Sequence, residues 1–334
     1  MPTKIETLWE LLEADLTAPS GLLLRRYDAA LKPDVFAAVR RNAGDRQRVL
    51  AVSLPAPVAV NSLTVHDLAL TVEKDTARAG RQVVLLTLTN AAYSDLFAVV
   101  CEDLIGQLAD EAEPQLVLRA LLNRLEQWTA LFEGVSPDGL SAEKRQGLFG
   151  ELWFLSQWLG AGSNPAHCLT AWTGPTGSIH DFQLPNQAVE IKTTSAVNPQ
   201  AIQISNERQL DNSGLTNLWL WLITLDSRPT GGQSLNNMVD GLLVRLGNSP
   251  TLQNTFRLRL YQVGYQPLHR ALYDTPTYAV RQEQVFSVSA GFPCLRMGDL
   301  PTGVSTVRYA VALAACQPFI VEPESVLAQI QPLN

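Results

Sequence analysis

The spacing of apolar residues along the chain alternates between a helical and a strand-like period. Near the N-terminus, TLWELLEADL carries Trp9, Leu12 and Leu16 on one stripe, which predicts an amphipathic helix. Short apolar runs separated by turn residues then predict strands in LLLRRY, RVLAVSLP, LALTVEK and RQVVLLTLT. Helical spacing returns in AYSDLFAVVCEDLIGQLAD and in PQLVLRALLNRL, which opens with Pro114. We therefore expect a mostly antiparallel β unit over residues 20–90, followed by helices.

The second half of the chain opens with a helix that follows Ser141 and ends at GAG. The runs HDFQL, AVEIKTTS and AIQIS predict three short strands, and NERQLDN predicts a short helix or turn. NLWLWLITLD is apolar on both sides, as in the centre of an α/β sheet. SLNNMVDGLLVRLG predicts a helix, whereas FRLRLYQVGY, YAVRQEQVFSVS and STVRYAVALAA predict strands. The pattern predicts an α/β fold (α+β overall) with a β-rich unit and helices in 1–135, a core in 136–250 and a β-rich region in 251–334.

Composition narrows the class of protein. The 334 residues are 46% hydrophobic and 17% charged, which describes a globular chain with a substantial core. The net charge of -7 argues against strong, non-specific nucleic-acid affinity of the whole surface, although it does not exclude a local basic groove. The four cysteines form no CxxC pair, so neither a structural zinc site nor a disulfide framework is indicated. With no signal peptide and no apolar run long enough for a bilayer, we expect a cytoplasmic protein without membrane partners.

Charged residues interrupt three apolar stretches. In AVEIKTTS, strand alternation places Glu190 and Lys192 on one face and Val189 and Ile191 on the other. HDFQL is the expected partner strand of a hairpin that turns at PNQ, and this pairing brings Asp181 near Glu190. The helix GLFGELWFL adds a third carboxylate, in an apolar setting. The sequence therefore predicts that an acidic cluster forms next to a lysine.

Such a cluster needs a counter-charge. Converging carboxylates repel each other, and at least one takes up a proton unless a cation is present. Mg²⁺ prefers carboxylates, a carbonyl, water and phosphate oxygens. It activates a bound water and neutralises charge at phosphorus, while a lysine orients that water or stabilises the pentavalent state. Aspartate, glutamate and lysine are therefore the residue types that phosphodiester hydrolysis needs.

The motif D-x8-E-x-K, after a helix that carries a glutamate, resembles the PD-(D/E)xK nuclease superfamily, which includes many restriction endonucleases. More narrowly, GLFGELWFL, HDF, VEIKTTS and IQISNERQL are similar to a bacterial family of poorly characterised PD-(D/E)xK proteins. Its members tend to be encoded in phage-defence or restriction-like gene clusters. The superfamily resemblance covers residues 141–246, and the narrower one extends over most of the chain. It implies a restriction-endonuclease-like αβββαβ core around a mixed four-stranded sheet.

The resemblance also assigns roles to individual residues. Asp181 and Glu190 match the two acidic positions and Lys192 matches the lysine, while His180 stands where the superfamily name has proline. Glu151 matches the glutamate that many members carry on the preceding helix. The expected metal ligands are Asp181, Glu190, the backbone carbonyl of Ile191, and Glu151. Gln203, Ser205 and Gln209 are expected near metal-bound water or substrate, and His180 is a further candidate accessory residue.

The implied activity is that of an Mg²⁺-dependent DNA endonuclease in restriction or phage defence, with Mn²⁺ as a substitute. DNA is the implied partner, other defence proteins are candidate partners, and cutting both strands favours a homodimer with two sites. The residues are also compatible with two other functions: a catalytically inactive scaffold subunit of a defence complex, and an enzyme that acts on RNA or nucleotides.

Several of these residues can also be explained by a structural role alone. Glu151 also fits a charge at the edge of an amphipathic helix, and His180 fits an ordinary strand residue. Trp219 and Trp221 share a strand face and are expected in the core rather than as base-stacking platforms. A basic cluster fits a solvated surface better than a phosphate grip. Its members are Arg25, Arg26, Arg40, Arg41, Arg46 and Arg48.

Overall fold

The fold was analysed in a computed structural model that describes residues 3–15, 20–42, 45–60, 63–65, 67–133 and 138–330. The chain divides into two compact units, residues 1–135 and 136–334. Residues 251–334, which the sequence pattern sets apart, therefore belong to the same unit as residues 136–250. In the described part of the chain, no helix has the length and apolar character needed to cross a membrane.

The first unit is built on a six-stranded antiparallel sheet. Its order is β1-β2-β3-β6-β5-β4, with β1 (Gly21–Arg26), β2 (Asp34–Asn42), β3 (Asp45–Pro55), β4 (Leu63–Val65), β5 (Leu68–Lys74) and β6 (Arg81–Leu88). The helices are α1 (Lys4–Ala14), α2 (Ser94–Leu108) and α3 (Pro114–Glu133). The predicted strands and helices of this unit are confirmed, and the pattern missed β2 and β4. Helix α1 begins with a capping box between Thr3 and Glu6.

Most arginines of the basic cluster have partners inside the first unit. Arg48 binds the carboxylate of Glu13 with Nε at 2.8 Å, and Arg46 donates to the carbonyl of Glu13 at 3.0 Å. Both contacts hold the C-terminal turn of α1, where carbonyl groups lack helical partners. Arg26 and Arg40 form ion pairs with Asp34 and Glu73. These contacts favour a structural role over a phosphate grip.

The second unit contains a mixed five-stranded sheet, as the mixed α+β fold class predicted. Its strands are β7 (Phe182–Gln183), β8 (Gln187–Thr194), β10 (Asn217–Arg228), β11 (Thr277–Ser287) and β13 (Ile320–Val321), in the order β13-β11-β10-β8-β7. Strands β8 and β10 are parallel, and the other neighbours are antiparallel. A separate ribbon pairs β9 (Ala201–Ile204) with β12 (Tyr309–Ala312). The helices are α4 (Ala142–Gly160), α5 (Pro165–Ala171), α6 (Leu235–Arg245), α7 (Pro250–Gln262), α8 (Leu313–Cys316) and α9 (Pro323–Gln329).

The two faces of the five-stranded sheet are covered differently. On one face, Val189 and Ile191 pack with Trp221 against apolar residues of α4 and α6. On the other face, Ala188 packs with β9 and with apolar residues from the C-terminal part of the unit. The alternation predicted for β8 is therefore confirmed, and both Trp219 and Trp221 are buried core residues as expected.

The core differs from the expected αβββαβ arrangement around a four-stranded sheet in two respects. Strand β9 follows β7 and β8 along the chain, but it lies outside their sheet and pairs with β12. The sheet is five-stranded rather than four-stranded because β10, β11 and β13 extend it on the side of β8 away from β7. The short helix or turn predicted before β10 is a single 3-10 turn, Glu207–Leu210.

Of the strands predicted near the C-terminus, one is wrong and one is confirmed only in part. FRLRLYQVGY lies mainly in helix α7, which Ser249 caps and Pro250 opens. The local R-L-R-L alternation imitates a strand, but the apolar residues Phe256 and Leu260 lie four apart and face one core. STVRYAVALAA forms a strand only at Tyr309–Ala312 before it turns into α8.

Candidate active site

The hairpin of β7 and β8 brings Asp181 to the edge of β8. The two strands pair only at Phe182 with Val189 and at Gln183 with Ala188. One residue earlier the chain leaves the ladder, and the Oδ2 atom of Asp181 accepts the backbone N–H of Ile191 at 2.7 Å. The carboxylate therefore occupies an acceptor position at a sheet edge that β7 leaves open.

The carbonyl of Ile191 faces this same open edge. In a strand, the N–H and C=O groups of one residue point to one side and those of the next residue to the other. The Gln187 carbonyl accepts from the N–H of Leu184, and the Ile191 N–H donates to Asp181. The backbone N–H and C=O groups of the odd-numbered residues of β8 therefore point toward β7. The Ile191 oxygen therefore lies on the Asp181 side, where the sequence-based assignment of a metal-ligating carbonyl requires it.

Glu190 and Lys192 form a partly buried ion pair on the opposite face from Ile191. The Nζ atom of Lys192 donates to Glu190 Oε1 at 2.7 Å, and the side chain of Glu190 is only 1% exposed. The second oxygen, Glu190 Oε2, is buried and accepts no well-formed hydrogen bond in the described part of the protein. The backbone N–H of Asp181 acts on this carboxyl only weakly and lowers its pKa less than Lys192 does. A buried carboxylate oxygen without a well-formed hydrogen bond is costly, which makes it a candidate position for a ligand.

Glu151 approaches Asp181 from helix α4. The indole N–H of Trp172 donates to Glu151 Oε2 at 2.7 Å and fixes this oxygen. A Cβ atom built on Gly174 would lie 2.9 Å from Glu151 Oε2 and 3.1 Å from Asp181 Oδ1. The absence of a side chain at Gly174 therefore leaves space beside both carboxylate oxygens.

The loop that carries Gly174 also fixes the backbone of Asp181. The N–H groups of Thr173 and Gly174 donate to the Asp181 carbonyl at 2.8 and 2.9 Å. The Thr173 hydroxyl donates to the carbonyl of His180 at 3.1 Å. Asp181 is thus held from the loop through its main chain and from β8 through its side chain.

Burial raises the pKa of all three carboxyl groups, and repulsion from a neighbouring carboxylate adds to this effect for Glu151 and Glu190. For Glu190, burial and then the charge of Asp181 raise the pKa to about 8, against the opposing effect of Lys192. Burial and the charge of Asp181 hold the pKa of Glu151 well above its usual range, although the Trp172 hydrogen bond opposes them. Burial also raises the pKa of Asp181. Carboxylates whose charges influence one another in this way share one site.

The expected accessory residues are placed unequally. Gln209 Oε1 accepts from Lys192 Nζ at 3.0 Å and from the backbone N–H of Ser205 at 3.0 Å, so both residues connect to the site. His180 is 5% exposed, and burial lowers the pKa of its ring. Gln203 is exposed on β9, and no hydrogen bond among the described residues joins its side chain to the site.

Three residues of the site were missed by sequence reasoning. Trp172 and Gly174 touch the carboxylates only because the segment after α5 folds back onto Phe182. Gly150 lets α4 approach β8, because a Cβ there would overlap with the methyl group of Thr193. The glycine next to Glu151 in GLFGELWFL was the one signal available, since a glycine inside a helix often marks a close approach.

The sequence also matches a known protein family. The model of a family described as "Putative PD-(D/E)XK family member" (DUF4420) matches residues 5–314. The chain belongs to this family. The match covers both units, which confirms that the resemblance extends over most of the chain. Neither a search of curated proteins nor a search of solved structures found a match.

PD-(D/E)XK nucleases generally use divalent metal ions, and the donor set fits such an ion. No three His, Cys, Asp or Glu side chains in the described residues are close enough together to hold a metal. However, Mg²⁺ usually takes only one or two protein carboxylates and completes its shell with water and phosphate. Glu190 Oε2 accepts no well-formed hydrogen bond from the described residues, and the space beside Gly174 adjoins Asp181 Oδ1. Asp181, Glu190 and the Ile191 carbonyl would hold the ion, with Glu151 next to Asp181.

Proposed function

We propose that this member of the PD-(D/E)XK family is a metal-dependent DNA endonuclease that hydrolyses phosphodiester bonds. One observation carries the proposal: a buried glutamate oxygen that accepts no well-formed hydrogen bond from the described residues lies in a carboxylate cluster that also contains Asp181 and Lys192. A protein core rarely tolerates such a group for stability alone. Its presence is better explained by a cationic ligand.

The residues of the site have different roles in the proposed reaction. Asp181, Glu190 and the Ile191 carbonyl would hold Mg²⁺, or Mn²⁺ in its place. Glu151 would bind a second ion, because no three His, Cys, Asp or Glu side chains of the described residues lie close enough to share one. When bound, a divalent ion lowers the pKa of a coordinated water and offsets the charge that builds on the phosphate. Lys192 uses two of its three N–H bonds for Glu190 and Gln209, so the third remains to orient water or a phosphate oxygen.

The proposed substrate is DNA, and the proposed role is restriction of foreign DNA in the cytoplasm. Both follow from the resemblance to restriction-type nucleases. Because the net charge is -7, substrate binding then depends on the metal, on a second copy of the chain or on a partner protein of the defence system. Two copies would supply the two sites that cleavage of both strands requires.

The test is cleavage of plasmid DNA with Mg²⁺ or Mn²⁺ by the wild type and by Asp181→Ala, Glu190→Ala and Lys192→Ala. Each variant should lose cleavage by at least about 100-fold, the cost of removing a group that acts on the transition state. Circular dichroism should show an intact fold. Asp299→Ala, which removes an exposed carboxylate, is the control and should cleave like the wild type. Undiminished cleavage by the three variants would refute the proposal, and an RNA substrate of equal length separates deoxyribonuclease from ribonuclease activity.

A second candidate function is that of a catalytically inactive scaffold. It is favoured by the existing ion pair, since Lys192 already neutralises Glu190 without a metal. Calorimetric titration with Mn²⁺ distinguishes the two functions. A nuclease should bind the ion in a manner that Glu190→Ala abolishes, whereas a scaffold should show no binding that depends on Asp181 or Glu190.

A further inference from the structure

Lys192 is held by a second acceptor that does not belong to the carboxylate cluster. Its Nζ lies 2.7 Å from Glu190 Oε1 and 3.0 Å from Gln209 Oε1. A lysine side chain has a flexible four-carbon stem, so a single ion pair leaves its head free to move around the partner. Two acceptors on different elements fix the ammonium group, and its remaining N–H bond then has a defined direction.

The amide of Gln209 can present only its oxygen to Lys192. Oε1 accepts at the same time from the backbone N–H of Ser205 at 3.0 Å. If the amide were turned over, its NH₂ group would face two donors, the ammonium and the N–H. Lys192 would then have only Glu190 as an acceptor, and the Ser205 N–H would have none. The Ser205 N–H therefore sets the orientation of the Gln209 amide.

The turn that carries Gln209 is itself anchored. Asn206 caps the turn Glu207–Leu210 by accepting from the N–H of Arg208 at 2.9 Å, and Leu210 is fully buried. Glu207 accepts the N–H of Val307 at 2.7 Å, which ties the turn to the segment before β12. Gln209 thus projects toward the site from a fixed base rather than from a loose loop.

We propose that Gln209 is a positioning residue for Lys192 in the nuclease reaction. This inference rests on the proposed function. Glu190, the other partner of Lys192, is also a proposed metal ligand, so its oxygens have a competing use. The Gln209 oxygen is neutral and lies outside the ligand set, and it keeps the ammonium beside the carboxylates without drawing charge from them.

The experiment compares Gln209→Leu, which keeps the size of the side chain and removes the acceptor, with Gln282→Leu on the exposed face of β11. We expect Gln209→Leu to lower kcat for DNA cleavage by about 10- to 100-fold, the usual effect of an indirect partner, with KM within about twofold of the wild type. Gln282→Leu should leave both constants unchanged. A kcat equal to that of the wild type would overturn the inference.

A second variant guards against a folding defect. Gln209→Glu keeps an acceptor for both Lys192 and Ser205 and should retain kcat within about tenfold of the wild type. A loss as large as that of Gln209→Leu would contradict the positioning role. A crystal structure of Gln209→Leu should show Lys192 Nζ displaced, and an unmoved Nζ would also contradict it. If the wild type does not cleave DNA, the proposed function itself fails, whereas an active wild type with a fully active leucine variant removes only the role of Gln209.

Discussion

Glu190 should make the metal-free protein less stable at alkaline than at acidic pH. Its side chain is 1% exposed, and burial with the charge of Asp181 raises its pKa from the ordinary 4.5 to about 8. The unfolded chain therefore loses this proton at a lower pH than the folded chain. Below the unfolded pKa the group carries no penalty, and as the pH rises toward the folded pKa the unfolded state is increasingly favoured.

The magnitude follows from the pKa difference. Each pH unit between the unfolded and folded pKa values corresponds to about 1.4 kcal/mol, so the full penalty is on the order of 5 kcal/mol above the folded pKa. Glu190→Gln removes the charge and retains an oxygen that Lys192 can bind. At about pH 9 without metal the variant should therefore be more stable than the wild type by several kcal/mol, and at about pH 4.5 the two should be nearly equal.

The assay is urea unfolding in a buffer that contains a metal chelator. Tryptophan fluorescence monitors the unfolding at both pH values. Most tryptophans lie in residues 136–334, so the signal reports mainly on the unit that contains Glu190. Glu324→Gln, the same change at an exposed position of α9, is the control and should follow the wild type. If the wild type and Glu190→Gln lose stability in parallel as the pH rises, the buried charge at Glu190 is not the cause. Adding Mn²⁺ at about pH 9 should stabilise the wild type more than Glu190→Gln, because an ion that binds only the folded state favours folding.

Two further predictions concern the support of the site. Gly150→Ala should destabilise the protein by about 1–3 kcal/mol in urea unfolding and lower DNA cleavage, because its Cβ would push α4 and the adjacent Glu151 away from β8. Gly147→Ala, in the same helix with open space around its Cβ, should instead be neutral or stabilising, and a matching loss would refute the packing argument. Glu283→Ala should cost about 2–5 kcal/mol of unfolding free energy, because its carboxylate accepts both the Trp153 and Trp221 indole N–H groups. Glu283→Gln should recover part of this loss, and an alanine variant as stable as the wild type would contradict that role.

The spacing of apolar residues was sufficient to predict an element where one face of that element packs against the core. The alternation of Val189 and Ile191 with Glu190 and Lys192 predicted β8, and the apolar stripe of GLFGELWFL predicted α4. Periodicity failed for FRLRLYQVGY, where the helix start at Ser249 and Pro250 outweighed the alternation. The pattern alone lacked this information because a short apolar alternation fits either period.

Contacts between segments that are distant in the chain could not be predicted from the sequence. Nothing in the pattern around Trp172 indicates that its indole holds Glu151, because that contact requires the chain after α5 to return to Phe182. The pairing of β9 with β12 is similar, since the two strands are separated by the whole of β10 and β11. Local spacing identifies chemistry-bearing residues, while long-range packing determines which of them meet.

The interruption of the β7–β8 ladder explains why an aspartate stands at position 181. If β7 continued by antiparallel pairing, the carbonyl of His180 would accept the N–H of Ile191. Instead that carbonyl accepts from Thr173, and the side chain of Asp181 takes its place with one oxygen. The other oxygen is then free to face Glu151 and the space beside Gly174. A longer β7 would satisfy the sheet equally well, but it would fill this edge with main chain and leave no acid beside the Ile191 carbonyl. The shortness of β7 is therefore what converts a sheet edge into a candidate metal site.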